Sequence, residues 1–271
     1  MSGAEALRHP LAGLMAQVEA TQSFLEAFTC PLREAEPAPC APDPGMCMRP
    51  FIPMPFGVAA CPVAELEGCQ PWQEFEVASR AAERAAWEAW ARRAGVPGVF
   101  LPDVDHPLQT DTLLTVEAFL GNQAASGRAL VICGGHGVGK SFSAAVALRR
   151  SWNRLGPDRM AWFYFPKLVA DLLTPGEGQG EILEDASKSF LAVFDDLGRE
   201  YLKVGGAMDA KLDTIIYARE GNRLPTIFTT NQTPAELRDR LSSASWDRLV
   251  GWATFEVCNG ESLRRPDALP G

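Results

Sequence analysis

Ala129-Leu130-Val131-Ile132-Cys133 runs straight into Gly134-Gly135-His136-Gly137-Val138-Gly139-Lys140-Ser141. The apolar run reads as a buried strand, and the eight residues after it fit G-x-x-x-x-G-K-[ST] at every fixed position. Glycines let a backbone wrap closely enough for several N–H groups to point at one anion. The residues from Ser141 to Arg154 have helical spacing, so the loop opens onto the positive end of a helix dipole. Strand, glycine loop and helix together make a phosphate-binding loop, which outweighs a chance match in a Gly-rich turn. Lys140 is expected at the β- and γ-phosphates of ATP and Ser141 on Mg²⁺. The contact set is expected to run from Gly134 through Phe142.

Outward from that loop, apolar strands alternate with amphipathic helices from about Leu113 onward, the pattern of a parallel α/β sheet. Met160–Phe165, Phe190–Phe194, Thr226–Thr230 and Ala253–Cys258 are the further expected strands, five in all with the first. Helices are expected over 167–173, 208–222, 234–241 and near 246–251, with a loop at 174–180. Phe190-Leu191-Ala192-Val193-Phe194-Asp195-Asp196 delivers two acids to the end of a central strand. Asp195 is placed to hold Mg²⁺ through water and Asp196 to act as general base; a turn-forming Asp pair is the plain alternative. Thr229-Thr230-Asn231 ends the next strand. Asn231 there either orients the attacking water or begins the turn before Thr233-Pro234. Arg248, in Trp246-Asp247-Arg248-Leu249-Val250-Gly251, can reach the γ-phosphate bound by a neighbouring subunit. Taken alone, it reads more simply as an exposed ion pair with Asp247 or Glu256.

The N-terminal third differs in character. Residues 1–29 are Ala/Leu-rich with helical spacing. Residues 30–72 hold Cys30, Cys40, Cys47, Cys61 and Cys69 among many prolines, which block long helices and central strands. Residues 73–93 resume a helical pattern, and Gly95-Val96-Pro97-Gly98 stops it. This divides the chain into an N-terminal region, 1–93, suited to a protein partner, and an ATPase domain, 94–271. The five cysteines can supply a Zn²⁺ site. Without a C-x₂-C knuckle or a nearby His, scattered thiols are the better reading.

The chain has 271 residues, 46% hydrophobic and 22% charged, enough to bury a substantial core. No apolar run is long enough to span a membrane, and Met1–Ala20 lacks the layout of a signal peptide. A cytoplasmic protein is the expectation. Net charge is −9. Residues 1–139 carry 8 Lys/Arg against 16 Asp/Glu, whereas residues 140–271 carry 17 against 18. Any DNA contact is therefore expected from local basic groups of the C-terminal half.

Taken together, GGHGVGKS, FLAVFDDLGRE, IIYAREGNRLPTIFTTN, WDRLVG and ESLRR resemble, in order and spacing, the AAA+ ATPases of the DnaC/IstB type. ARRAGVPGVFL resembles the stretch that precedes the ATPase core in that family. The resemblance covers roughly residues 90–265. It implies Walker A roles for Lys140 and Ser141, Walker B roles for Asp195 and Asp196, sensor 1 for Asn231 and an arginine finger for Arg248. Arg264 matches the family's terminal S-x-R element. Two positions depart from the pattern. Asp196 stands where many AAA+ proteins have Glu, which suggests slow hydrolysis, and Ala244 replaces the usual Arg four residues before the finger. The function implied is a helicase loader in DNA replication: a homo-oligomer completed by Arg248 in trans that brings a replicative helicase to single-stranded DNA. A transposition helper that grips duplex DNA and recruits a transposase is the alternative, and an ATPase adaptor without DNA contact is a third. Some helicase loaders also have a cysteine cluster in the partner-binding N-terminal region, which favours the first.

Overall fold

A computed structural model describes residues 53–54, 57–58 and 70–263, apart from 175, 177, 199–205 and 261. The helical expectation for 1–29, the five cysteines and Arg264 lie outside the described residues. Among the described residues no group of three or more His, Cys, Asp or Glu gathers as a metal site. No described helix is long and apolar enough to cross a membrane.

The chain divides into two compact units, 1–85 and 86–271. In the first, β1 (Pro53–Met54) pairs with β2 (Gly57–Val58) antiparallel. Helix α1 covers Gln70–Ala94. In the second unit, α2 (Asp111–Ala118) leads through a π-helical turn to β3 (Ala129–Gly134). The order then runs α3 (Lys140–Leu155), β4 (Met160–Tyr164), α4 (Phe165–Leu173), α5 (Gln179–Lys188), β5 (Leu191–Asp195) and α6 (Ala207–Gly221). It closes with β6 (Thr226–Thr230), α7 (Pro234–Arg240), α8 (Ser243–Trp252) and β7 (Ala253–Cys258). All five strands from β3 on are parallel, in the order β4-β5-β6-β3-β7.

Position in the sheet explains the strand sequences. The three inner strands β5, β6 and β3 are buried almost throughout, as strands covered on both faces must be. The edge strands β4 and β7 expose part of their length. Strand β6 is unusual in burying three threonines. Each hydroxyl is satisfied: Thr226 donates to the Leu224 carbonyl, Thr229 to Asp195 and Thr230 to the Leu197 carbonyl. Burial without those partners costs of order 1–3 kcal/mol per group.

Helices cover both faces. One core layer gathers Leu130 and Ile132 with Leu148, Val116 and Trp87; the other gathers Val131, Phe194 and Phe228 with Leu168, Leu212 and Trp252. Trp87 and Trp90 of α1 pack edge-on or tilted against Trp152 of α3, ring centroids 5.6 Å apart.

Two expectations about elements need correction. Phe165 does not end β4 but opens α4, because Pro166 sits in the first turn of a helix, where its missing N–H costs nothing. The segment after the expected loop at 174–180 forms α5, whose Ile182, Leu183 and Ala186 pack into the second core layer.

Candidate functional site

The carboxyl ends of β3, β5 and β6 meet at one rim of the sheet, because the chain leaves β3 for the far edge and returns beside it at β6. Such a reversal opens a crevice above the strand ends, the usual place for a ligand in an open parallel sheet. The loop from Gly134 to Gly139 fills one side of it and α3 begins at Lys140. Gly137 and Gly139 adopt φ of 84° and 90°, which favour glycine. At Gly137 a Cβ would also collide with the Ser262 side chain. The Leu263 N–H donates to the Gly137 carbonyl at 2.9 Å, so the segment after β7 lies against the loop.

The Lys140 ammonium is buried and donates to the carbonyls of Gly134 (2.9 Å) and Gly135 (2.7 Å) and to Asn231 Oδ1 (2.9 Å). Burial pushes its pKa down, while Asp196 and Asp195 oppose that shift. The Asn231 amide in turn donates to Asp196 Oδ1 at 2.8 Å. Lys140, Asn231 and Asp196 thus form one chain of hydrogen bonds from the glycine loop to the second acid.

Asp195 stands one residue earlier, at the buried end of β5. Burial raises its carboxyl pKa, and hydrogen bonds from Ser141 and Thr229 lower it again. The Thr229 hydroxyl donates to Asp195 Oδ1 at 2.6 Å and accepts from the Asp196 N–H at 3.0 Å. Asp196 itself has φ 66°, a conformation uncommon outside glycine and one that Asp tolerates better than most residues. The bend turns the chain so that successive acids face different partners, Asp195 toward Ser141 and Asp196 toward Asn231.

The structure therefore brings together the glycine loop, Lys140, Ser141, Asp195, Asp196 and Asn231. No protein-family model matches the chain. Its sequence is 29% identical over 143 residues to the replicative helicase loader DnaI of Bacillus subtilis (strain 168), a match covering 50% of this chain and 44% of that protein. The match thus spans less than half of the relative's length. The crystal structure of DnaI shares the fold, with a TM-score of 0.50 at 23% identity over 60% of this chain and 89% of that one. The structure of the DnaC helicase loader gives a TM-score of 0.49 at 25% identity, over 57% and 94%.

The described core has the fold of the DnaI structure.

Within this fold Arg248 is not among the residues gathered at the crevice. It lies on α8 and is held by α6: its guanidinium donates to Glu220 at 3.1 Å, lies 4.0 Å from Asp213 and covers the Tyr217 ring at 4.6 Å. The simpler reading of an ion pair named Asp247 or Glu256; the acids beside it are Glu220 and Asp213. Phe142, just past the loop, packs edge-on against Phe100 at 5.7 Å. His136 is exposed at the loop's tip.

The cluster also fits a magnesium ion. The Ser141 hydroxyl and the Asp195 carboxylate are hard oxygen donors held side by side, and two such ligands plus phosphate oxygens and water are what Mg²⁺ uses at nucleotide sites. Thr229 was missed in the sequence reading as the residue that fixes Asp195. The available signal was a Thr at the end of a buried strand next to the acid-bearing one.

Proposed function

We propose that this chain is an ATP-dependent helicase loader of DNA replication. The Lys140–Asn231–Asp196 hydrogen-bond chain beneath the glycine loop carries the nucleotide part of that reading. Lys140 donates to carbonyls of its own loop. A polyphosphate offers it a stronger, charged acceptor, and Asn231 is then released to orient a water beside Asp196. Ser141 and Asp195 would hold Mg²⁺, which would supply charge neutralisation to the phosphates. Asp196 accepts the proton of the attacking water. Its short side chain, tied back by Asn231, keeps turnover slow and leaves the ATP-bound state long-lived.

The similarity to DnaI supports the loading role. In this reading ATP assembles several copies, Arg248 leaves Glu220 to complete the neighbouring site, and the N-terminal region holds a replicative helicase to be placed on single-stranded DNA. An affinity pull-down with full-length Asp196→Asn in MgATP tests it, with Lys140→Ala as the nucleotide-free control. Recovery of a replicative helicase by the first and not the second is expected. Recovery of a transposase instead would transfer the protein to transposition.

A further inference from the structure

One hydrogen bond to the glycine loop comes from outside every motif in the sequence. Thr112 sits in the first turn of α2, 2% exposed, and its hydroxyl donates to the Val138 carbonyl at 3.0 Å. Helix α2 is fixed in turn by Thr110, whose side chain accepts from the Leu113 N–H, and by Leu113 and Val116 in the core. The donor is therefore held by a capped helix that is anchored in the core.

The geometry of a trans peptide gives that contact a consequence. Within one planar peptide unit the C=O and the N–H of the next residue point in opposite directions. Fixing the Val138 carbonyl toward Thr112 turns the Gly139 N–H the other way, away from α2. The preceding peptide is treated in the same manner, since the Gly137 carbonyl accepts from the Leu263 N–H at 2.9 Å and the Val138 N–H faces opposite. Gly139, at φ 90°, has the backbone freedom to swing if one of these ties is cut.

We propose that Thr112 is a positioning residue of the nucleotide site: its hydroxyl sets the Val138–Gly139 peptide so that the Gly139 N–H is aimed at the ligand's polyphosphate before the ligand arrives. The inference rests on reading Gly134–Ser141 as the phosphate site. A donor aligned in advance loses no ordering entropy on binding, and without the hydroxyl the peptide flips between orientations.

The test uses full-length Thr112→Val, which keeps the side-chain shape, and Thr112→Ser, which keeps the hydroxyl. Affinities for MgATP, MgADP and inorganic tripolyphosphate are measured by calorimetry, and the Gly139 amide resonance is followed by NMR during the ADP titration. Thr112→Val is expected to weaken all three ligands by about three- to tenfold, the worth of one hydrogen bond, and to shrink the ligand-induced shift of the Gly139 amide. Thr112→Ser is expected to restore both to within about twofold of the parent, by the same measure. Unchanged affinities and an unchanged Gly139 shift in Thr112→Val overturn the proposal. So does a Thr112→Ser variant as weak as Thr112→Val, since the effect is then packing. If Thr112→Val does not fold, Thr112→Ala takes its place with the same criteria. Failure of the parent protein to bind ATP would instead strike the reading of the site itself.

Discussion

Burial lifts the Asp195 carboxyl above its ordinary range, and the Ser141 and Thr229 hydroxyls recover only part of that shift. The folded protein therefore holds this proton to higher pH than the unfolded chain does. The stability from the protonated form is fully present below the unfolded value of 3.8 and is lost as pH rises through the raised folded value. At neutral pH an ionised Asp195 opposes folding, and a site that binds Mg²⁺ needs it ionised. Replacing it by Asn keeps an acceptor for both hydroxyls and removes the buried charge. Asp195→Asn is expected to raise the melting midpoint of the ligand-free protein by about 2–4 °C, the equivalent of roughly 1 kcal/mol for a chain of this size. The same variant loses the Mg²⁺-dependent part of its ATP affinity. A midpoint below that of the parent would show that the carboxylate supports the fold.

The fully buried Arg219 of α6 shows what holds one end of the sheet together at the level of elements. Its guanidinium donates to the Thr226 hydroxyl and to the carbonyls of Ala186, Ser189, Phe190 and Pro225, at 2.7–3.3 Å. It thereby ties the end of α5 to the starts of β5 and β6. Arg219→Met strands several buried acceptors at once and is expected to cost about 3 kcal/mol or more. That would be read as a lower urea midpoint with an unchanged slope; a loss under about 1 kcal/mol would mean that water replaces the guanidinium. Nothing in the spacing of Ile215-Ile216-Tyr217-Ala218-Arg219 marks this Arg as buried, since a charged residue late in a helix ordinarily reads as a solvated one. The strands were legible for the opposite reason: ALVIC and FLAVF are apolar throughout, as strands covered on both faces tend to be, and TIFTT is a short run of β-branched and aromatic residues. Helix α5 was not legible, because Gly176, Gly178 and Gly180 mask its start and only a brief apolar stripe follows. At the site, the glycine loop and Lys140 could be named from the phosphate-loop pattern, and Asp195, Asp196 and Asn231 from strand ends. The hydrogen bonds that orient them, from Thr229 above all, depend on register between strands far apart in sequence.

Across the whole molecule the open question is whether one copy suffices. Arg248 is held by Glu220 and Tyr217 of its own chain, and the crevice is assembled without it. If Arg248 serves a neighbouring copy, Asp196→Asn and Arg248→Ala should each hydrolyse ATP poorly alone. Mixed in equal amounts they should recover a substantial part of the parent rate, since some junctions then pair an intact acid with an intact arginine. Activity in the mixture equal to the average of the two alone would confine each site to one chain. Assembly of this kind requires first that the Gly134–Ser141 crevice be a MgATP site. Calorimetric titration of the full-length protein with ATP, in the presence and absence of Mg²⁺, tests it most directly, with Lys140→Ala alongside. One ATP per chain, bound more tightly with Mg²⁺ and not detectably by Lys140→Ala, is the result predicted. Absence of binding by the parent, or equal binding by Lys140→Ala, would contradict it.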